Sequence, residues 1–258
     1  MSTRTTAAVF VLSLAFATIG TNGPAVAQDV AAFLAGSTKD CPGCNLAGAK
    51  LKRRNLAGAN LAGANLAGAS FHRAVLRGAN LSGADLTEAN LNKTDLLQAN
   101  LSNAKLKDAM LFEAEAGRAD FSRADLTEAM MGNIRLTSGK LDRANLTDAD
   151  LGGALLNEAS LANATLNGAS VIQARLLRAN LHGAVAQNVD FTHANMRDAT
   201  LARALLGESI FYLADLGGAD LSGANLSRSI LRSANLDNTN QAETIFSGAL
   251  MPDNSVHP

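Results

Sequence analysis

From Asn45 to about Leu236 the chain places an apolar residue at every fifth position without a slip of phase. Of the 39 positions reached from Leu46 to Leu236 in steps of five, 30 are Leu. The others are Phe71, Ala116, Phe121, Met131, Val171, Ala186, Phe191, Met196 and Phe211. Two residues ahead of each of these, from Ala49 to Ala234, 31 of 38 positions are Ala. A helix turns about 100° per residue, so a strict period of five would scatter the leucines around its surface. A long strand fails as well, because an odd period sends successive leucines to opposite faces. Within one repeat the order does work: in Ala84-Asp85-Leu86-Thr87-Glu88, Ala and Leu share a face and Asp85 points away. The next two residues are turn formers, with Gly recurring at Gly48, Gly58, Gly63, Gly68, Gly78 and Gly83. Each repeat therefore reads as a very short strand and a corner, stable only when stacked on its neighbours.

Runs such as Ala59-Asn60-Leu61-Ala62-Gly63, Ala84 to Glu88 and Ala219-Asp220-Leu221-Ser222-Gly223 resemble the pentapeptide-repeat family, A(D/N)LXX. The resemblance covers nearly all of the chain after its first 44 residues. It implies an all-β fold, a right-handed quadrilateral β-helix with four pentapeptides per coil and Leu and Ala inside. Thirty-nine repeats then make nearly ten coils, a rod on the order of 45 Å long at the usual strand spacing. The expected organisation is a signal peptide over 1–27, an N-terminal cap over 28–44, the β-helix over 45–240, and a C-terminal cap and tail over 241–258.

The ends carry different signals. Arg4, an apolar run from Ala7 to Ile19 and the closing Ala25-Val26-Ala27 predict a secretory signal peptide cleaved after Ala27. The apolar run is short of the ~20 residues that span a bilayer, and no later segment is long and apolar enough to do so. The implied location is periplasmic or secreted, or the thylakoid lumen if the source is photosynthetic. Val30, Phe33 and Leu34 fall at helical spacing and predict a short amphipathic helix laid over the first coil. Just after it come the two cysteines of the chain, Cys41 and Cys44. In an exported protein a cap disulfide is the default reading. A free or labile pair, a thiol-disulfide exchange pair and a metal site are the alternatives; c-type haem attachment would need His where Asn45 stands. At the far end Gln241 is the first polar residue in the Leu column, and Phe246, Leu250 and Met251 offer a second plug before Pro252.

Sorting outward residues by the implied 20-residue coil gives four unlike walls. The Leu46 wall is mildly acidic, and the Leu56 and Leu61 walls balance their charges. The Leu51 wall begins with a basic patch of Lys50, Lys52, Arg53, Arg73 and Lys93. It continues with outward apolar groups: Met110, Phe112 and Met130, then Ile172, then Ile210, Tyr212, Leu213 and Ile230. These are candidate interface residues, with shielding of the wall as the plainer reading. Arg54 is unusual because it falls in the inward Ala column, and it is expected to reach outward from a loose first coil.

Candidate chemistry is sparse. The four histidines, His72, His182, His193 and His257, are scattered, and no phosphate loop or serine elbow occurs. Neither a catalytic residue, a metal site nor a cofactor is predicted. The net charge is −1, from 22 basic and 23 acidic residues, which favours neither nucleic-acid binding nor an acidic mimic. The reading reached is an exported, non-catalytic structural or protein-interaction scaffold that binds a protein partner or itself. The alternatives are a DNA-mimicking, gyrase-binding protein of the family's quinolone-resistance type, which export and the outward Asn55, Asn60 and Asn65 oppose, and a thiol-disulfide active protein working through Cys41 and Cys44.

Overall fold

The computed structural model describes residues 30–258; the predicted signal peptide lies outside the described residues. From Asn45 onward the chain winds into a right-handed four-sided β-helix of pentapeptides. Every fifth residue pairs in parallel with the residue 20 farther on, from Asn45 with Asn65 to Ile230 with Leu250. The implied four repeats per coil are thus present throughout. The Leu and Ala columns fill the interior: Leu51 through Leu231 and the Ala residues between them are almost all inaccessible to water. Where aromatics replace Leu in successive coils they stack, as Phe191 and Phe211 do with ring centres 4.9 Å apart.

Backbone hydrogen bonding explains the remaining three positions of the repeat. In the repeat 80–84, Asn80 N–H donates to Ala59 of the coil before, and Leu81 and Gly83 N–H donate to Asn100 and Ser102 of the coil after. Ala84 N–H closes the corner onto Leu81 of its own repeat. One donor, Ser82 N–H, is left without a backbone acceptor, and Asn80 Oδ1 takes it at 3.1 Å. The same Asx turn recurs at Asn65, Asp85, Asp125, Asp190, Asp220 and Asn240. Asn or Asp precedes Leu so often because its short side chain is the acceptor for the fifth N–H. Many of these amides also bond up the rod, as Asn145 does to Asp125 and Asn240 to Asp220.

Each corner has one residue in the left-handed region. All 41 positions from Gly48 to Gly248 in steps of five have positive φ, and only 12 of them are Gly. Arg, Glu, Asn and Asp take the rest, although a side chain there costs roughly 1–2 kcal/mol. The ladder above and below supplies the compensation, since each corner N–H from Gly48 to Ser233 bonds to the next coil.

Both ends are covered. Residues 30–35 form the predicted helix, closed by Gly36 at φ +83° with Ser37 N–H bonded to Ala32 and Gly36 N–H to Phe33. Phe33 is fully buried over the first coil and Val30 packs against the core, but Leu34 is 50% exposed, contrary to the spacing argument. A helix of one and a half turns has room over the core for Phe33, and Leu34 turns away. Arg54 also differs from expectation: it turns onto the cap helix and is only partly exposed. Its Nη2 donates to Phe33 carbonyl at 2.9 Å and Nη1 to Leu34 carbonyl at 3.3 Å, with the guanidinium 5.2 Å from the Phe33 ring centre. A cation thus satisfies the carbonyl end of the helix and stacks on its buried ring. Asp40 Oδ1 accepts the Asn60 N–H that has no coil beneath it. At the other end the ladder runs past residue 240 to Leu250, because Phe246 restores an inward apolar group after the exposed Gln241. The chain then doubles back so that Val256 pairs antiparallel with Leu250 and His257 lies beside Phe246, ring centres 5.7 Å apart.

Two consequences can be measured. Ser209 Oγ, buried in the Ala column, donates to Ala186 carbonyl and accepts Val189 N–H, whereas the buried Ser229 Oγ has no partner. Ser229→Ala should therefore raise thermal stability, by about 1 kcal/mol, and Ser209→Ala should lower it by a similar amount; equal effects from the two would refute this assignment. Asp85, Asp220 and Asp253 have carboxyls held below their ordinary range, chiefly by the hydroxyls of Thr87, Ser222 and Ser255. A depressed folded-state value stabilises the fold above the unfolded value near ~4, and that contribution is lost as pH falls through the lower one. The melting temperature should drop below pH ~4, and less steeply in an Asp85→Asn/Asp220→Asn/Asp253→Asn variant, whose amide oxygens still accept the turn N–H.

Candidate functional site

The interior offers no room for chemistry, so any site lies on the walls or ends. Among the described residues no three His, Cys, Asp or Glu side chains converge as a metal site would require. The hollows between coils are open and lined by solvated groups, such as that of about 380 Å³ among Gln187, Asn188, Glu208, Asn225 and Arg228. His193 meets Tyr212 edge to face, 6.2 Å between ring centres, and His72 lies at the opposite end of the same wall.

Cys41 and Cys44 continue the two inward columns by one more step, Cys41 in the Leu position and Cys44 in the Ala position. Their Cα atoms are 5.4 Å apart, a separation that suits a disulfide, and both side chains are buried. Burial also bears on the exchange reading. An attacking thiolate must reach a sulfur along the S–S axis, and here both sulfurs lie beneath the cap.

The predicted interface residues separate into two groups. Met110 and Met130 pair across adjacent coils, with Phe112 beside them. Ile210, Ile230 and Leu250 form a second ladder that continues to Val256. Three polar rungs, Asp150, Ser170 and Asp190, stand between the groups. Phe112, Met130, Tyr212, Leu213 and Ile230 are each roughly 40–50% exposed, while Met110 and Ile210 are half-buried. Leu213 sits in a left-handed corner, φ +57°, where every other residue from 48 to 248 is polar or Gly.

An aliphatic residue before the inward position also forfeits the Asx acceptor. Among the described residues, no acceptor within the protein takes the Tyr212 or Arg232 N–H, which follow Ile210 and Ile230. The second group thus combines exposed apolar side chains with free backbone donors. Two further members, Leu205 and Ile245 on the neighbouring wall, were overlooked in the sequence, although their outward register is readable there. Val256 lies beyond the repeat, and only the reversal of the tail brings it into line.

The basic residues Lys50, Lys52, Arg53 and Arg73 are all exposed on the Leu51 wall, whereas Lys93 pairs with Glu113 at 3.2 Å. Elsewhere charges pair between coils, as in Arg77 with Asp95, Arg135 with Glu115 and Arg228 with Glu208.

The sequence matches the family model for pentapeptide repeats over residues 44–83, 79–115, 140–176, 174–211 and 209–248. The chain belongs to the pentapeptide-repeat family. It is similar in structure to HetL, a pentapeptide repeat protein involved in heterocyst differentiation regulation from the cyanobacterium Nostoc sp. strain PCC 7120. The two are 30% identical, covering 88% of this chain and 98% of HetL at a TM-score of 0.58. A pentapeptide repeat protein from the thylakoid lumen of Arabidopsis thaliana is 31% identical over 35% of this chain and 71% of its own, at a TM-score of 0.23. QnrB1, a plasmid-mediated fluoroquinolone resistance protein, is 20% identical over 64% of this chain and 78% of its own, at a TM-score of 0.30. No curated protein sequence matches the chain.

The position of the cysteines generates a sharp test. If the pair replaces an inward Leu and Ala, Cys41→Leu/Cys44→Ala should fold and melt within a few degrees of the parent protein. Cys41→Ser/Cys44→Ser should melt well below it, because two hydroxyls would then be buried at the cap. Calorimetry of both variants decides, and a collapse of the Leu/Ala variant would refute the packing role.

Proposed function

We propose that the protein is an exported, non-catalytic scaffold whose contact surface is the C-terminal end of the Leu51 wall. The observation that carries this reading is the ladder Ile210–Ile230–Leu250, three successive aliphatic rungs in a column otherwise dominated by polar residues. Tyr212 and Leu213 flank it, and their exposure together with the free N–H of Tyr212 supplies both halves of an interface: apolar area and directional donors. The partner is another protein or a second copy of the chain. Export is supported by the Arg4-to-Ala27 pattern and by the 5.4 Å separation of the Cys41 and Cys44 Cα atoms, which suits a disulfide of the kind that persists in an oxidising compartment. The run of carboxylates Glu88, Asp108, Glu128 and Asp148 spans only four coils and is partly neutralised by Lys107, which gives a DNA-mimicking surface little to rest on.

The test is crosslinked capture by the chain from Gln28 onward in periplasmic extract, together with light scattering of the purified protein. Tyr212→Glu should abolish capture or self-association and leave the melting temperature unchanged. Association that survives Tyr212→Glu would move the contact elsewhere.

A further inference from the structure

We infer that the first two coils of the Leu51 wall form a docking site for an anionic lipid surface, distinct from the contact surface at the other end. Lys50, Lys52, Arg53 and Arg73 extend from one side of two adjacent rungs, exposed, and none forms an ion pair among the described residues. The first two coils, residues 45–84, contain no Asp or Glu, so these four cations lie within about 10 Å of rod length with no carboxylate on their own coils.

The distribution of the other charges says how such a site is approached. On the corner beside this wall, Glu88, Asp108, Glu128 and Asp148 follow one another in the third to sixth coils. A rod lying lengthwise on a polyanion would press those carboxylates against it. Contact through the basic residues is therefore made with the N-terminal end tilted onto the surface, a geometry that a plane of headgroups accepts.

A second observation points the same way. Leu34 is 50% exposed, and its backbone carbonyl is bonded to Arg54, the neighbour of Arg53, so an exposed apolar residue of the cap is tied to the coil that carries the basic corner. Cations over headgroups with an aliphatic group entering the interface is the arrangement of a peripheral membrane contact. A single-stranded nucleic acid would want aromatic platforms. In these coils the outward residues of the wall are Lys50, Lys52, Arg53, Ser70, His72 and Arg73, and the one aromatic carbocycle, Phe71, points inward.

The chain from Gln28 keeps every described residue and is the protein to use. It should float with phosphatidylcholine vesicles containing phosphatidylglycerol, stay behind with phosphatidylcholine alone, and be released by salt. Each basic residue contributes about fivefold in affinity, so Lys52→Glu/Arg73→Glu should weaken binding by more than about 25-fold with unchanged melting. Glu is tolerated in these corners, as Glu88 shows at φ +57°. Leu34→Asp should weaken binding as well, and Tyr212→Glu should bind vesicles like the parent protein, which keeps this test separate from that of the C-terminal surface. Absence of phosphatidylglycerol-dependent flotation, undiminished binding by the double variant, or tighter binding of heparin or single-stranded DNA than of the vesicles would overturn the inference.

Discussion

A chain that turns a corner every five residues must find five acceptors per repeat for its backbone N–H groups, and the whole architecture follows from how it does so. Three are supplied by the coils above and below and one by the corner itself. The fifth falls at a point where no carbonyl is within reach. An Asn or Asp side chain one residue before the inward Leu supplies it in most repeats. The motif A(D/N)LXX is therefore a hydrogen-bonding requirement as much as a packing one. Leu and Ala fill a narrow core, Asn or Asp completes the backbone bonding, and the last two positions form a corner that accepts nearly any polar residue. The left-handed conformation at the corners is sustained because each corner N–H from Gly48 to Ser233 is locked into the next coil.

A repeat that satisfies itself only through neighbours creates a problem at each end, and the two ends solve it differently. The N-terminal end uses side chains to imitate a missing coil. Asp40 accepts a ladder N–H, Cys41 and Cys44 extend the inward columns, and Arg54 ties the helix to the first coil through its carbonyls and its ring. The C-terminal end uses the chain itself, folded back as an antiparallel strand over one side. With a solid interior, function is left to side chains that depart from the repeat's polar outer pattern. The outward apolar groups fall in two clusters, Met110, Phe112 and Met130 midway and Ile210, Ile230 and Leu250 near the last coil, while a basic patch lies near the first.

Much of this was legible in residue order. The phase of Leu46 to Leu236 dictated which side chains are buried, and the structure places them so without exception from Leu51 to Leu231. The outward apolar groups from Met110 to Ile230 were identifiable from the same phase, because a residue adjacent to an inward Leu must point out. Leu205 and Ile245 were equally accessible to that argument. The helix over 30–35 was visible in its spacing, but the orientation of Leu34 was not, since spacing places residues on a helix face without saying how much core that face meets.

Sequence by itself determined the repeat and its inward columns, because five-residue periodicity and column composition are local properties that stacking merely repeats. Tertiary structure alone decided what happens where columns meet something else. It turned Arg54 onto the cap helix, turned Leu34 away from the core, and brought Val256 beside Leu250. The physical reason is distance along the chain. Partners 20 residues apart are fixed by the coil, but a cap carbonyl, a returning tail or an unused N–H is found only once the chain has closed on itself in space.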